Sequence, residues 1–332
     1  MLLRIGCSAL YLQFFLFTLM CLSIHRACNQ ISNLDSTVVV FGAINIDLLA
    51  TASQQVALDD STPGTLRSFA GGVGRNIAEN LARLGVVTRL VSAVGDDEFG
   101  KQILNTMRII KIDVSHVSVH TGATTASYTA VHDSDGELLH AISDMRLFDD
   151  FQLPAADNLK QIISTADVVV VDTNLPATVL NEIAQHCHSK TLIADSVSRS
   201  KCTRLSGILG ELTLLKVNRA EAIALTNCQT DVDEVLLKAV HDLGPEQVLL
   251  TLGGEGVVLY SDGQFHRAAA LSDAAVVSTS GAGDALLSAV IAAKLAGATN
   301  DVQLQWGTRA ASETLRVHSA CSEKLNRLAL QK

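Results

Sequence analysis

The chain is poor in aromatic residues, with one tryptophan, three tyrosines and nine phenylalanines in 332 positions. Stacking platforms for single-stranded nucleic acid are built from such rings, so that class of function is disfavoured. Basic charge is also short: 25 lysines and arginines stand against 34 acidic residues, a formal net charge of −9. A nucleic-acid scaffold would show a basic face instead. Only four prolines occur, none marking an interdomain linker. No solenoid-like repeat and no low-complexity run is present. The seven cysteines lack metal-like spacing; Cys7, Cys21 and Cys28 are near the start, and Cys187, Cys202, Cys228 and Cys321 are scattered. Buried thiols in a reducing, cytoplasmic compartment fit the body of the chain better than a disulfide framework. His186-Cys187-His188 reads as the polar end of a helix rather than a metal cluster.

Apolar bulk is what the chain does have. Hydrophobic residues make up 48%, enough for the core of one large domain, alone or with a small appendage. Ile5 to Ile24 carries no charge and is rich in Leu and Phe. By length it suits a bilayer span or a signal-peptide core. A signal, a membrane anchor and a true start at Met20 all stay open. Residues 1–30 are therefore set apart, with any membrane contact confined to residues 5–24, and residues 36–332 are read as the folded domain.

Thr37 to Phe41 (TVVVF) is a short apolar run, the mark of a strand buried on both faces. Polar residues just beyond such a first parallel strand face the ligand crevice of an open α/β sheet. Asn45 and Asp47 stand there and alternate in register, so both point to one side; both also favour turns. Leu48 to Phe69 reads as an excursion of strands outside the main sheet. Ala70-Gly71-Gly72-Val73-Gly74-Arg75-Asn76 then opens a helix with the apolar stripe Val73, Ile77, Leu81 and Leu84, ended by Gly85. Its glycines permit close ligand approach, and Asn76 projects from the first turn. Their spacing is not the dinucleotide fingerprint. A strand over 86–94 and a helix to about Ile110 follow. Thr124 to Val131 and Leu138 to Ile142 flank Asp133-Ser134-Asp135-Gly136, a hairpin signal. That hairpin and the earlier excursion predict a small sheet over the site, from about 48–69 and 124–147. From Asp167 onward strands and helices alternate, which predicts a mostly parallel sheet with helices on both faces.

Ser278-Thr279-Ser280-Gly281-Ala282-Gly283-Asp284 follows a β-prone run, 274–277, and leads into an apolar segment broken only by Ser288. It predicts a strand or bend, a small-residue turn, then a buried helix. Unpaired amides and the positive end of the helix dipole favour an anion at that turn. Asp284 there would take the proton of an attacking hydroxyl, or simply cap the helix.

Three signals stand in order: the double-glycine helix start with Asn76, the Asn218-x-x-Glu221 pair after a strand, and Gly281-Ala282-Gly283-Asp284. Together they make the chain resemble the ribokinase-like, phosphofructokinase-B-type sugar and nucleoside kinases from roughly Thr37 to the C-terminus. The resemblance implies an α/β fold, a ribokinase-like three-layer sandwich with a mostly parallel central sheet and a small β lid. It implies ATP and Mg²⁺, a small-molecule nucleoside or sugar as substrate, and a homodimer through the lid. It places Asn45, Asp47, Gly71, Gly72, Asn76 and Asn174 on the substrate, and Asn218 and Glu221 on Mg²⁺ and phosphate. Gly253 and Gly254 go to the nucleotide. Gly281, Ala282 and Gly283 form the anion hole, with Asp284 as the catalytic base.

SFAGGVGRNIAENLARLG, DGELLHAISDM, DTNLP and ADSVSRSK look like the subgroup that phosphorylates the 5′-hydroxyl of pseudouridine. By that likeness Asp144 would lie near the base of the nucleoside and Lys201 on an ATP phosphate; a hairpin residue and a solvated lysine are their ordinary readings. The alternatives are a kinase for ribose, another nucleoside or a ketodeoxy sugar acid, and a non-catalytic nucleoside-binding protein on the same fold. Two positions depart from the pattern. Ser278 stands where many members carry an Asp that helps hold a monovalent cation, which leaves dependence on that cation open. Ser196 stands where the subgroup usually carries Pro.

Overall fold

The computed structural model describes residues 36–57, 60–271 and 276–331. The hydrophobic stretch 5–24 and residues 274 and 275 of the β-prone run lie outside the described residues. The other two members of that run, Val276 and Val277, lie in an irregular stretch with a bend. Among the described residues no helix is long and apolar enough to cross a membrane.

Short apolar runs build the main sheet. In chain order its strands are β1 (Thr37–Phe41), β4 (Val87–Gly95), β5 (Asp113–His120), β8 (Val168–Asp172), β9 (Thr191–Asp195), β10 (Leu214–Asn218), β11 (Val248–Thr251), β12 (Val257–Ser261) and β13 (Gln264–Ala268). They lie in the order β13-β12-β11-β10-β9-β8-β1-β4-β5. Pairing is parallel from β5 to β11 and antiparallel for β12 and β13. Side chains alternate between the two faces. Val39, Phe41, Val169 and Val171 join one core with Leu159, Leu180, Ile183 and Leu237 from helices. The helices Val73–Arg83 and Ala282–Leu295 pack on each other and cover the other face, with Asn300–Thr314 beside β12 and β13. Each such valine or leucine, fully buried, contributes about 1.5–3 kcal/mol. The result is three layers, helices on sheet on helices.

The sequence reading passes over β5 and β13. Both sit at the margins of the sheet, where exposed positions interrupt the apolar run. His186 caps the end of the helix Ala177–Gln185 and Cys187 is buried. Among the described residues no group of three or more His, Cys, Asp and Glu could hold a metal ion.

A second sheet has the order β3-β2-β6-β7, from β2 (Asn45–Ala52), β3 (Gly64–Gly71), β6 (Ser127–His132) and β7 (Leu138–Asp144). The predicted hairpin is β6 and β7, paired antiparallel. From β1 the main-sheet path goes to β4 on one side and returns to β8 on the other. Such a reversal opens a crevice outside the carboxyl ends of the strands, and the small sheet begins there, at Asn45.

Candidate active site

Asp172, at the end of β8 and fully buried, ties the crevice together. Its Oδ2 accepts from the amides of Ala43 at 2.9 Å and Gly74 at 2.7 Å, and its Oδ1 from Asn174 N at 2.8 Å. Three elements are thereby held by one carboxylate: the end of β1, the start of the helix Val73–Arg83 and the loop after β8. Burial pushes its pKa up to about 6 against the pull of those amides. Gly74 must be glycine for closeness: a Cβ there would lie 2.6 Å from Gly42 Cα.

Beside this junction lies a cavity of about 300 Å³. Asn45 and Asp47 of β2 line it, with Gly72 and Asn76 of the helix start. Asn45 Nδ2 donates to Asp47 Oδ1 at 2.6 Å; burial raises the Asp47 pKa, while Asn45 and the Arg75 charge oppose the rise. Register puts Asp47, Tyr128 and Ser143 in one row across β2, β6 and β7, so all three reach the cavity. Asp144 is one residue further and does not line it; its carboxylate pairs with Arg146 at 2.6 Å. Gly71 is buried against the Asp47 carboxylate, behind the lining. Lys201 faces this same cavity and not the second one described below. Its Nζ donates to Asn174 Oδ1 at 2.6 Å, and burial lowers its pKa.

The turn at 279–284 forms the far wall. Gly281 has φ +75°, and a Cβ there would collide with Ala320 O, so only glycine sits in this conformation without strain. The helix begins at Ala282, and Asp284 stands in its first turn. Asp284 does not cap the helix: its Oδ2 accepts from Asn76 Nδ2 at 2.7 Å. Burial pushes its pKa up to about 7 and nearby Asp195 adds to the rise, while Lys216 and the Asn76 bond oppose it. Lys216 Nζ lies 3.0 Å from Asp195 Oδ2. The two form a buried salt bridge. Burial alone would lower the Lys216 pKa, but Asp195, Asp284 and Glu221 outweigh it and raise it.

Behind the turn lies a second cavity of about 490 Å³. Thr279, Ala282 and Gly283 face it, whereas Ser280, Gly281 and Asp284 face the first. Gly253 and Gly254 line its rim, and Ala311, Ser312 and Leu315 form a mainly apolar wall. One turn thus separates two cavities at the N-terminus of a 14-residue helix, where backbone amides and the helix dipole attract negative charge.

Asn218 and Glu221 line neither cavity. They form a capping box on the helix Arg219–Thr226: Glu221 N donates to Asn218 Oδ1 at 2.9 Å and Asn218 N to Glu221 Oε2 at 2.9 Å. Ser196 Oγ also donates to Glu221 Oε2, at 2.6 Å. With Asp195, these groups concentrate oxygen donors at the ends of β9 and β10. Such a set fits Mg²⁺, which keeps several waters and takes one or two carboxylates together with phosphates.

Sequence reasoning did not pick out Lys216, Arg75, Tyr128 or Ser143. Lys216 has a usable signal, a lone charge inside the apolar run LTLLKV. Tyr128 and Ser143 become visible only through strand register.

A model of the pfkB family carbohydrate kinase matches residues 35–326. The chain is 33% identical over 255 residues to the pseudouridine kinase of Escherichia coli (strain K12), covering 75% of this chain and 81% of that protein. It is 26% identical over 278 residues to the ribokinase of Bacillus subtilis (strain 168), covering 83% and 91%. The solved structure of Arabidopsis thaliana ribokinase complexed with ribose and ATP superposes with a TM-score of 0.80 at 25% identity, covering 90% of this chain and 98% of that one. The fold is therefore the ribokinase-like one read from the motifs, and the chain belongs to the pfkB family of carbohydrate kinases.

Proposed function

We propose that this sugar or nucleoside kinase transfers the γ-phosphoryl group of ATP to the 5′-hydroxyl of pseudouridine. The observation that carries the transfer is the shared wall: acceptor-side and donor-side cavities meet at one helix N-terminus, with Asp284 on the acceptor side. Identity to the Escherichia coli enzyme supports the substrate. The segment DGELLHAISDM supports it too, because its Ser143 and Met145 line the acceptor cavity.

Asn45, Asp47 and Asn76 hold the ribose hydroxyls, and Tyr128 and Ser143 lie across from them. Asp284 accepts the proton of the attacking hydroxyl through the oxygen that Asn76 leaves free. The amides at Gly281 to Gly283 meet the developing negative charge. Asn218, Glu221 and Asp195 would hold Mg²⁺ through its waters. When bound, ATP supplies the phosphoryl group and Mg²⁺ spreads its charge. Gly253 and Gly254 let the nucleotide approach the backbone.

One observation favours a second reading. Lys201 is a cation in the acceptor cavity with only one donor committed to Asn174, which would suit the carboxylate of a ketodeoxy sugar acid. Phosphate transfer from ATP with Mg²⁺, measured against pseudouridine, uridine, ribose and a ketodeoxy sugar acid, separates the two. Turnover of pseudouridine well above uridine is expected. Preference for the sugar acid would replace the substrate and keep the mechanism. Binding of nucleoside with no transfer to any acceptor would overturn the kinase reading.

A further inference from the structure

We propose that Arg75 is a positioning residue for the reacting carboxylate, acting on Asp284 through the side-chain amide of Asn76. The inference rests on Asp284 being the base.

Arg75 stands in the first turn of the helix Val73–Arg83 and is 4% exposed. Four of its five N–H groups are committed. Nη2 donates to Ala70 O at 2.5 Å and to Asn76 Oδ1, Nε to Gly71 O at 3.3 Å, and Nη1 to Glu79 Oε2 at 2.5 Å. Glu79 is buried as well, and its other oxygen accepts from Arg83 Nε at 2.9 Å. A chain of polar groups therefore runs from Arg83 through Glu79, Arg75 and Asn76 to Asp284.

Chemistry fixes the direction of the amide. A guanidinium only donates and an ionised carboxylate only accepts. Asn76, standing between them, must turn Oδ1 to Arg75 and Nδ2 to Asp284, which gives the 2.7 Å bond. With Arg75 gone, the amide is free to turn over and set Oδ1 against Asp284 Oδ2. The carboxylate then loses the donor that favours its charged form and the contact that aims its free oxygen. The other charged or titratable groups around Asp284 are Asp172, Asp195 and Lys216 of β8, β9 and β10, Cys321 beyond the last long helix, and Asp47, Tyr128 and Lys201 on the shared cavity. All of them remain in an Arg75 variant. The same guanidinium holds the last two carbonyls of β3, so the root of the small sheet and the base share one cation.

The test is a double-mutant cycle on the full chain with Arg75→Met, Asn76→Ala and the pair, using ATP and pseudouridine. Arg75→Met is expected to lower kcat about 10–100-fold, the scale of one hydrogen bond to a charged group, with a smaller change in acceptor KM. In the Asn76→Ala background the same substitution adds no more than about twofold. Multiplicative losses would overturn the proposal. A carboxyl ¹³C NMR titration needs no turnover and is expected to show the Asp284 midpoint moving upward in Arg75→Met; an unmoved midpoint would also overturn it. If Arg75→Met does not fold, Arg75→Lys, which keeps the charge but lacks the fork that spans Asn76 and Glu79, enters the same cycle and titration. A wild type that phosphorylates no acceptor would instead defeat the kinase reading, and the titration still decides the role of Arg75.

Discussion

Asp284 sits under opposed influences, and their balance sets its protonation. Burial and Asp195 raise its pKa to about 7, while Lys216 and Asn76 hold it down. A base must be ionised to accept a proton. Turnover is therefore expected to rise with pH through about 7 and to fall tenfold per pH unit well below it, read from kcat/KM between pH 5 and 9. A flat profile over that range would remove Asp284 from the proton transfer. Lys201 carries a second prediction at this scale. It faces the acceptor cavity with Asn174, so Lys201→Ala is expected to raise acceptor KM about 10-fold or more and leave the KM for ATP unchanged. The reverse pattern would return Lys201 to the phosphates, as the sequence reading had it. Asn76 and Asp284 were legible because each stands in the first turn of a helix opened by glycines, where a ligand can approach the backbone. Arg75 and Lys216 were not, because their meaning depends on partners brought together by folding, such as Glu79 and Asp195.

At the scale of elements, Asp172 joins three of them through three amides. Asp172→Ala leaves these buried donors without their acceptor, at a cost of about 1–3 kcal/mol for each donor left unsatisfied. A large drop in the urea midpoint is expected, with the slope unchanged; an unchanged midpoint would mean that the junction is held by packing alone. A parallel strand such as TVVVF was legible because burial on both faces leaves an unbroken apolar run. The hairpin β6–β7 was legible from its turn residues. β5 and β13 escaped because sheet margins tolerate polar positions. Asp144 was misplaced relative to the cavity for a simple reason: pleating alternates sides, and Ser143, not Asp144, falls on the row with Asp47 and Tyr128.

For the molecule as a whole, the architecture places two cavities on either side of one turn, beyond the carboxyl ends of the main-sheet strands. Alternating strands and helices were enough to read a mostly parallel sheet, and the three motifs in order, through the family they resemble, gave the ribokinase-like fold. The sequence could not show that Ser280, Gly281 and Asp284 face one cavity while Thr279, Ala282 and Gly283 face the other. On the proposed function, that division sets the base with the acceptor and the amides at the boundary. The most direct measurement is turnover by Asp284→Asn, with ATP binding and thermal unfolding followed in the same preparation. An intact fold, retained nucleotide binding and a kcat reduced by about two to four orders of magnitude are expected. Near-wild-type kcat in that variant would contradict the proposed role of Asp284.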